Sequence, residues 1–152
     1  MNILQLLTSL NDEIAIRAIA SHSKILKNNQ SNSYVFAPLG RELSYFKRWG
    51  AEIASNRNSS LNISYSKVTI KEICDIVSKK SISAIHVYDL AGYKAALQVK
   101  KICSIKIIFS LLKNTSEQTM IGKLSNTIFG EFIPRVTTLV PSKGAYLSLI
   151  HI

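Results

Sequence analysis

This sequence is poor in cysteine, in acidic residues and in long apolar runs, and each shortage removes a class of protein. Two cysteines, Cys74 and Cys103, are too few for a disulfide framework or a structural zinc site. Both lie inside apolar periodic segments and are expected as small buried hydrophobes. No apolar run approaches the ~18 residues that a membrane-spanning helix needs, which excludes an integral membrane protein. The stretch Met1-Asn2-Ile3-Leu4-Gln5-Leu6-Leu7 lacks the positive flank of a signal peptide. Asp12-Glu13 stands where a cleavage site would lie, so the chain reads as cytoplasmic. His22, His86 and His151 have no metal-ligand spacing, and no metal is expected. His22, between two serines, is expected in solvent, and His151 is expected to fray. No Gly-x-Gly-x-x-Gly or phosphate-loop pattern occurs. There is no helix-turn-helix, zinc-finger or RNA-recognition signature, and the aromatics, at 8%, form no stacking platform.

What is present is apolar and basic. The 152 residues are 47% hydrophobic and 18% charged, the balance of one folded domain rather than a disordered chain. The net charge of +10 comes from 19 Lys and Arg against 9 Asp and Glu. Such a surface attracts nucleic acid, anionic lipid or phosphorylated ligands. The abundance of Lys, Ile, Asn and Ser also fits an AT-rich genome, with the lysines scattered over solvated faces.

Strand and helix signals alternate along the chain. Strands are predicted at Ile3–Leu7, Ser33–Ala37, Ala51–Ala54, Ile82–Val87, Ile105–Phe109 and Arg135–Val140. A first helix has Ile14, Ala18, Ile19, Ile25 and Leu26 as its apolar face, with Ser9 or Asn11 as its cap. Further helices are predicted from Gly40 to Trp49, over Val68–Lys80 with Val68, Ile73, Ile76 and Val77 inward, and over Leu90–Cys103. A looser one covers Ser116–Phe129, and a last one Lys143–Ile152. Ser55–Ser60 reads as a polar loop. This alternation predicts an α/β fold: a single Rossmann-like domain, mainly parallel, with helices on both faces. Ligands on such sheets bind beyond the carboxyl ends of the strands. That directs attention to Thr8–Asn11, Pro38–Arg41, Tyr88–Gly92, Ser110–Asn114 and Pro141–Gly144.

His86, in mid-strand, reads as a core histidine with satisfied ring nitrogens or as a ligand contact. Asp89 reads as a helix N-cap, or as a group binding a sugar hydroxyl or acting as a base. Ser142 opens a predicted helix, where it caps or offers backbone N–H groups to an anion. Arg41, Lys47 and Arg48 interleave with Tyr45, Phe46 and Trp49. They form either a solvated helix face or a contact with anionic lipid, the aromatics at headgroup level.

Several stretches resemble, in order and spacing, the N-terminal domain of family-4 glycosyltransferases of the GT-B fold. Ile3-Leu4-Gln5-Leu6-Leu7-Thr8-Ser9-Leu10-Asn11 is similar to their first strand and loop, and Arg17-Ala18-Ile19-Ala20 with Leu26 to their first helix. Phe46-Lys47-Arg48-Trp49-Gly50-Ala51-Glu52-Ile53 resembles their second helix and the strand after it. Ser83-Ala84-Ile85-His86-Val87-Tyr88 resembles their fourth strand, followed by the Ala95-Ala96 helix, and Val136 to Ser142 a later strand and helix start. The resemblance covers nearly all of residues 1–152. It implies an acceptor-side domain, incomplete at its C-terminal end, without the donor-binding domain. The implied reaction moves a sugar, with retention, from a nucleotide-sugar to a glycan or lipid-linked acceptor, in bacterial envelope glycan or lipopolysaccharide assembly. Asn11, His86, Tyr88, Asp89 and Ser142 would contact the acceptor, and Arg41, Lys47, Arg48 and Trp49 a membrane or anion. No cofactor is implied beyond the donor, which the absent domain would hold. A lone chain is then expected to be inactive, to need a second polypeptide carrying that domain or to self-associate, and to lie peripherally on the inner face of the cell membrane.

The functional loops depart from the family's pattern. Glu13-Ile14 stands where a Gly-Gly turn would let the backbone approach pyrophosphate, and Glu13 would repel it. Tyr88 replaces the second histidine of a His-x-His strand end. Leu112 and Lys113 stand at a His-Gly or His-Asp pair, and leucine neither moves a proton nor accepts a hydrogen bond. The alternative is a basic module that binds anionic membrane or nucleic acid without catalysis.

Overall fold

The computed structural model describes residues 1–54, 66–113, 136–139 and 146–151, with side chains through residue 110. Five strands form a parallel sheet: β1 (Asn2–Leu6), β2 (Asn32–Phe36), β3 (Ala51–Ile53), β4 (Ala84–Val87) and β5 (Lys106–Lys113). Two more, β6 (Val136–Leu139) and β7 (Tyr146–His151), extend it in the order β3-β2-β1-β4-β5-β7-β6. Helices α1 (Glu13–Asn28), α2 (Glu42–Arg48), α3 (Lys67–Lys79) and α4 (Leu90–Cys103) connect the parallel strands. The fold is the predicted α/β, Rossmann-like one. The chain leaves β1 toward β2 on one side, while β4 leads to β5 on the other. A crevice at the carboxyl ends of β1 and β4 is thus the topological switch point, where such sheets bind ligands.

Each face of the sheet is covered for a readable reason. Leu4, Leu6, Phe36, Ile85, Val87, Ile107 and Phe109 alternate onto one face, under Ile70, Ile73 and Val77 of α3 and Tyr93, Ala95, Ala96 and Val99 of α4. The small Ala95 and Ala96 let α4 lie close to the strands. The other face carries Leu7, Val35, Ala37, Ala51 and Tyr88, covered by Ala15, Ile16 and Ile19 of α1 and Phe46 of α2. Gly50, at φ +93, ends α2 in the left-handed region that glycine tolerates best.

Several expectations need correction. The segment predicted as a helix over Lys143–Ile152 holds the strand β7, antiparallel to β5. The reason is tertiary: β5 pairs with β4 along one edge, over Lys106–Phe109, and β7 occupies its other edge, over Ile108–Lys113. His151, expected to fray, pairs with Ile108 in that ladder. The strand predicted at Arg135–Val140 is found as β6, antiparallel to β7. The cap of α1 is Asp12, whose Oδ1 accepts from the N–H groups of Ile14 and Ala15, both at 3.0 Å. Ile14 and Ile25 are 51% and 54% exposed, because the buried stripe of α1 runs through Ala15, Ile16, Ile19, Ala20 and Ser23. Val68 is 70% exposed for the same reason, the inward positions of α3 being Thr69, Ile70, Ile73 and Val77. Cys74 and Cys103 are half-buried rather than buried. The Ser55–Ser60 loop, the Ser116–Phe129 helix and Ser142 lie outside the described residues.

Candidate functional site

The crevice is clasped by a carboxylate. Asp89 follows β4 and caps α4, its Oδ1 accepting from the Gly92 N–H at 2.6 Å. Its Oδ2 accepts from the Thr8 N–H at 3.1 Å and the Thr8 hydroxyl at 2.8 Å. Both oxygens are therefore engaged in joining the loop after β1 to the start of α4. That is the geometry of a positioning group rather than of a free base. Ser9, Asn11 and Ala91 reach the surface around this clasp, Asn11 and Ala91 being exposed and Ser9 partly so. The N-terminus of α1 carries Asp12 and Glu13, a negative pair that opposes the attraction of its N–H groups for phosphate.

Beneath the crevice a polar cluster crosses the sheet under α1. Gln5 faces His86 across the β1–β4 pair. The Tyr88 hydroxyl donates a short hydrogen bond to the Gln5 carbonyl oxygen. It also lies 2.8 Å from His22 Nδ1 and 3.1 Å from His86 Nδ1. With its one proton on Gln5, the Tyr88 oxygen accepts from both rings, which assigns both histidines the neutral Nδ1–H form. His86 Nε2 then accepts from the Ser110 hydroxyl at 2.7 Å. On the other side the Gln5 amide donates to Ser23 and Ser33 at 2.9 and 2.6 Å. Ser33 bonds Ser23 at 2.8 Å, and Ser23 donates to the Ile19 carbonyl at 2.7 Å. The rings stack, His22 on His86 at 5.0 Å and His86 on Tyr88 at 4.4 Å.

Burial sets the protonation of this cluster. It lowers the His86 pKa to about 3, with a smaller contribution from neighbouring His22. It lowers that of His22 and pushes the Tyr88 phenol well above its ordinary value. At neutral pH the cluster is uncharged and holds its proton pattern. It supports the floor of the crevice.

The expected site residues thus separate. His86 and Tyr88 come together, but inside, 7% and 3% exposed. Asp89 lies above them as the clasp, and Asn11 stands in solvent nearby. Sequence reasoning directed attention to the loops that begin at Thr8 and Ser110 without giving either residue a role, missed Gln5, Ser23 and Ser33, and placed His22 in solvent where it is half-buried. Their one signal is a polar residue amid apolar strand neighbours, as with Gln5 between Leu4 and Leu6.

A second polar surface lies on α1 and α2. Lys24 Nζ sits 4.9 Å above the Trp49 ring, and Tyr45 meets Trp49 edge-on at 6.2 Å. The Trp49 indole N–H is buried without a partner. Arg41, Lys47 and Arg48 are exposed, Arg41 within 3.4 Å of Glu42. A cleft of about 610 Å³ opens between α2 and strands β2 and β3, lined in part by Leu43, Lys47 and Glu52. It lies by β3, at one end of the strand order, and not at the switch point between β1 and β4, so the crevice is the better candidate by position.

No known family model matches the sequence, and no curated protein does. Solved structures do. A glycosyltransferase from Rickettsia africae ESF-5 aligns over 84% of this chain and 34% of its own, at 18% identity and a TM-score of 0.61. MurG from Acinetobacter baumannii aligns over 80% and 38%, at 9% identity and 0.51. A deacetylase triple mutant of the teicoplanin biosynthetic pathway aligns over 100% and 99%, at 8% identity and 0.55. At these identities the likeness is one of fold. The chain spans about a third of the length of the Rickettsia glycosyltransferase. Among the described residues no helix is long and apolar enough to cross a membrane.

Proposed function

We propose that the chain is the acceptor-side domain of a family-4, GT-B glycosyltransferase, acting in bacterial envelope glycan or lipopolysaccharide assembly. The observation that carries this reading is the parallel sheet, which aligns with about a third of each of two glycosyltransferase chains. The acceptor binds at the switch point, on the Thr8–Asn11 loop and the start of α4, with Asp89 holding the two together and His86 and Tyr88 below. The nucleotide-sugar is held mainly by a second domain. The acidic start of α1 agrees with a loop that does not grip pyrophosphate. This domain by itself is inactive. Arg41, Lys47, Arg48 and Trp49 place it peripherally on anionic lipid at the cytoplasmic side, near a lipid-linked acceptor.

A backbone-amide NMR titration with glycan and lipid-linked acceptors tests this. Shifts at Thr8–Asn11 and Asp89–Ala91 are expected. UDP- and GDP-sugars should bind at roughly millimolar or weaker, under ~4 kcal/mol. Shifts confined to α2 on adding anionic lipid or nucleic acid, with none at the crevice, would replace this reading with that of a basic binding module, which the Lys24–Trp49 contact favours.

A further inference from the structure

We propose that Cys74 and Cys103 form a conditional intrachain disulfide that staples α3 to α4 when a low-molecular-weight disulfide is present. The two residues are distant in sequence, yet both pack on the edge of the same apolar core. Cys74 lies in the middle of α3, and Cys103 is the last residue of α4, which Ser104 ends in a left-handed turn at φ 49. Helix α3 packs against α4, and Cys74 lines one groove with Gln98 and Ile102 of the last turns of α4, Ile102 being the chain neighbour of Cys103; the Cys103 side chain is near enough to act on the Cys74 thiol. Both are free and half-exposed. That shallow groove, of about 260 Å³, gives a reagent a way in to Cys74, and Cys103 is itself half-exposed. The pair therefore has placement on two packed elements and access, and closing it would form a covalent S–S of about 2.05 Å.

The chemistry is thiol–disulfide exchange with an oxidant of the glutathione disulfide class. The Cys103 thiolate attacks one sulfur of the oxidant, forming a mixed disulfide and expelling one glutathione thiolate. The Cys74 thiolate then attacks the Cys103 sulfur, forming the protein disulfide and expelling the second. Two protons leave the protein, the two cysteines are oxidised, and one glutathione disulfide is reduced to two thiols. Burial pushes the Cys74 thiol up to about 11, with Cys103 and Asp75 adding to the effect. It is therefore suited to the second, intramolecular step, where apposition offsets its low thiolate fraction. The disulfide is uncharged and fits this apolar setting better than either thiolate.

The test is incubation of the full chain with glutathione disulfide at mildly alkaline pH, alkylation of remaining thiols and peptide mass mapping. Both cysteines should lose alkylation together, in a monomer lighter by two hydrogens with its α3 and α4 peptides linked. Cys74→Ser should instead accumulate a glutathione adduct on Cys103. Both positions are half-exposed, so the serine variants should fold, and circular dichroism checks this. The oxidised chain should melt up to roughly 10 °C above the reduced one, because the link constrains the unfolded chain. A stable adduct on wild type, a cross-linked dimer, two fully alkylable thiols, or an oxidised chain that melts no higher would each overturn the proposal.

Discussion

The two faces of one sheet are built on different principles. On the α3–α4 face, strand residues such as Leu4, Phe36, Ile85 and Ile107 meet mostly apolar helix residues. On the α1 face a stripe of Ser33, Gln5, His86 and Ser110 lies buried in mid-sheet, and Ser23, His22 and Tyr88 complete its hydrogen bonds. Apolar contact is strong and tolerant: any well-packed side chain of similar volume serves. A buried polar network has no such tolerance, because each member left unpaired carries its full desolvation cost. The apolar face therefore holds the domain together, while the polar face fixes α1 and the ends of β1 and β4 in one arrangement. The crevice sits above the second face.

The comparison breaks first on the apolar side. Phe36, the last residue of β2, is fully buried in the core of that face. Phe36→Ala should cost about 3–5 kcal/mol, as truncation leaves a cavity in a packed core. Denaturant unfolding measures this. The imidazole NMR signals of His22 and His86 should keep their positions, since the cavity opens on the opposite side. A shift of those signals would mean that the two faces are coupled through the strands.

On the polar side the informative change is nearly isosteric. Gln5→Leu keeps the volume but removes the acceptor for Tyr88 and the donors to Ser23 and Ser33. It should cost about 1–3 kcal/mol despite adding apolar surface to the core. If Leu at this position stabilises the fold, the stripe is not a satisfied network and the contrast between the faces fails.

Acid sharpens the comparison, because both histidines with described side chains, His22 and His86, belong to the polar cluster. The folded His86 pKa, about 3, lies far below its ordinary value, and that of His22 is lowered too. As pH falls below about 6.5, the unfolded chain takes up protons that the folded cluster refuses. The stability that neutral His86 contributes is complete above that pH and drains away as pH falls toward 3. The slope is about 1.4 kcal/mol per pH unit for each excluded proton. Urea unfolding from pH 7 to 4 should show it, and His86→Gln should flatten it. An unchanged slope in that variant would mean that His86 is accessible to protons in the folded state.

The apolar face was legible in sequence and the polar one was not. Strand runs such as Tyr34-Val35-Phe36 and Ala84-Ile85-His86-Val87 announce themselves by composition, and with the helices between them they dictate a parallel sheet. The stripe depends on partners 10 to 83 positions away, such as Ser23 with Ser33 and Gln5 with Tyr88. No local pattern encodes those pairings. His22 looked solvated because its neighbours are serines, yet Ser23 is itself buried, bonded to Gln5 and Ser33. The segment Tyr146-Leu147-Ser148-Leu149-Ile150-His151 follows a helical-looking start but finds the free edge of β5, so pairing overrides local preference. Asp89 was legible as a cap, but its grip on Thr8 was not, because that contact joins two loops across the switch point.

The smallest expected effect lies on α3, where one helix separates a real inward position from an apparent one. Val68 and Ile73 both fit an apolar helical spacing, but Ile73 is fully buried and Val68 is 70% exposed. The helix is held by Ser66, whose hydroxyl accepts from the Thr69 N–H at 3.3 Å, so Val68 sits in the first turn, outside the packed stripe. Its substitution removes little burial, and alanine gains a few tenths of a kcal/mol in helix propensity by freeing the restricted β-branched side chain. Val68→Ala should therefore leave stability within about 0.5 kcal/mol of wild type, against about 2–5 kcal/mol for Ile73→Ala. Paired denaturant curves read the difference directly. A loss above 1 kcal/mol at Val68 would mean that something covers this turn in solution, and that the apolar face extends past the edge drawn by Ile70, Ile73 and Val77.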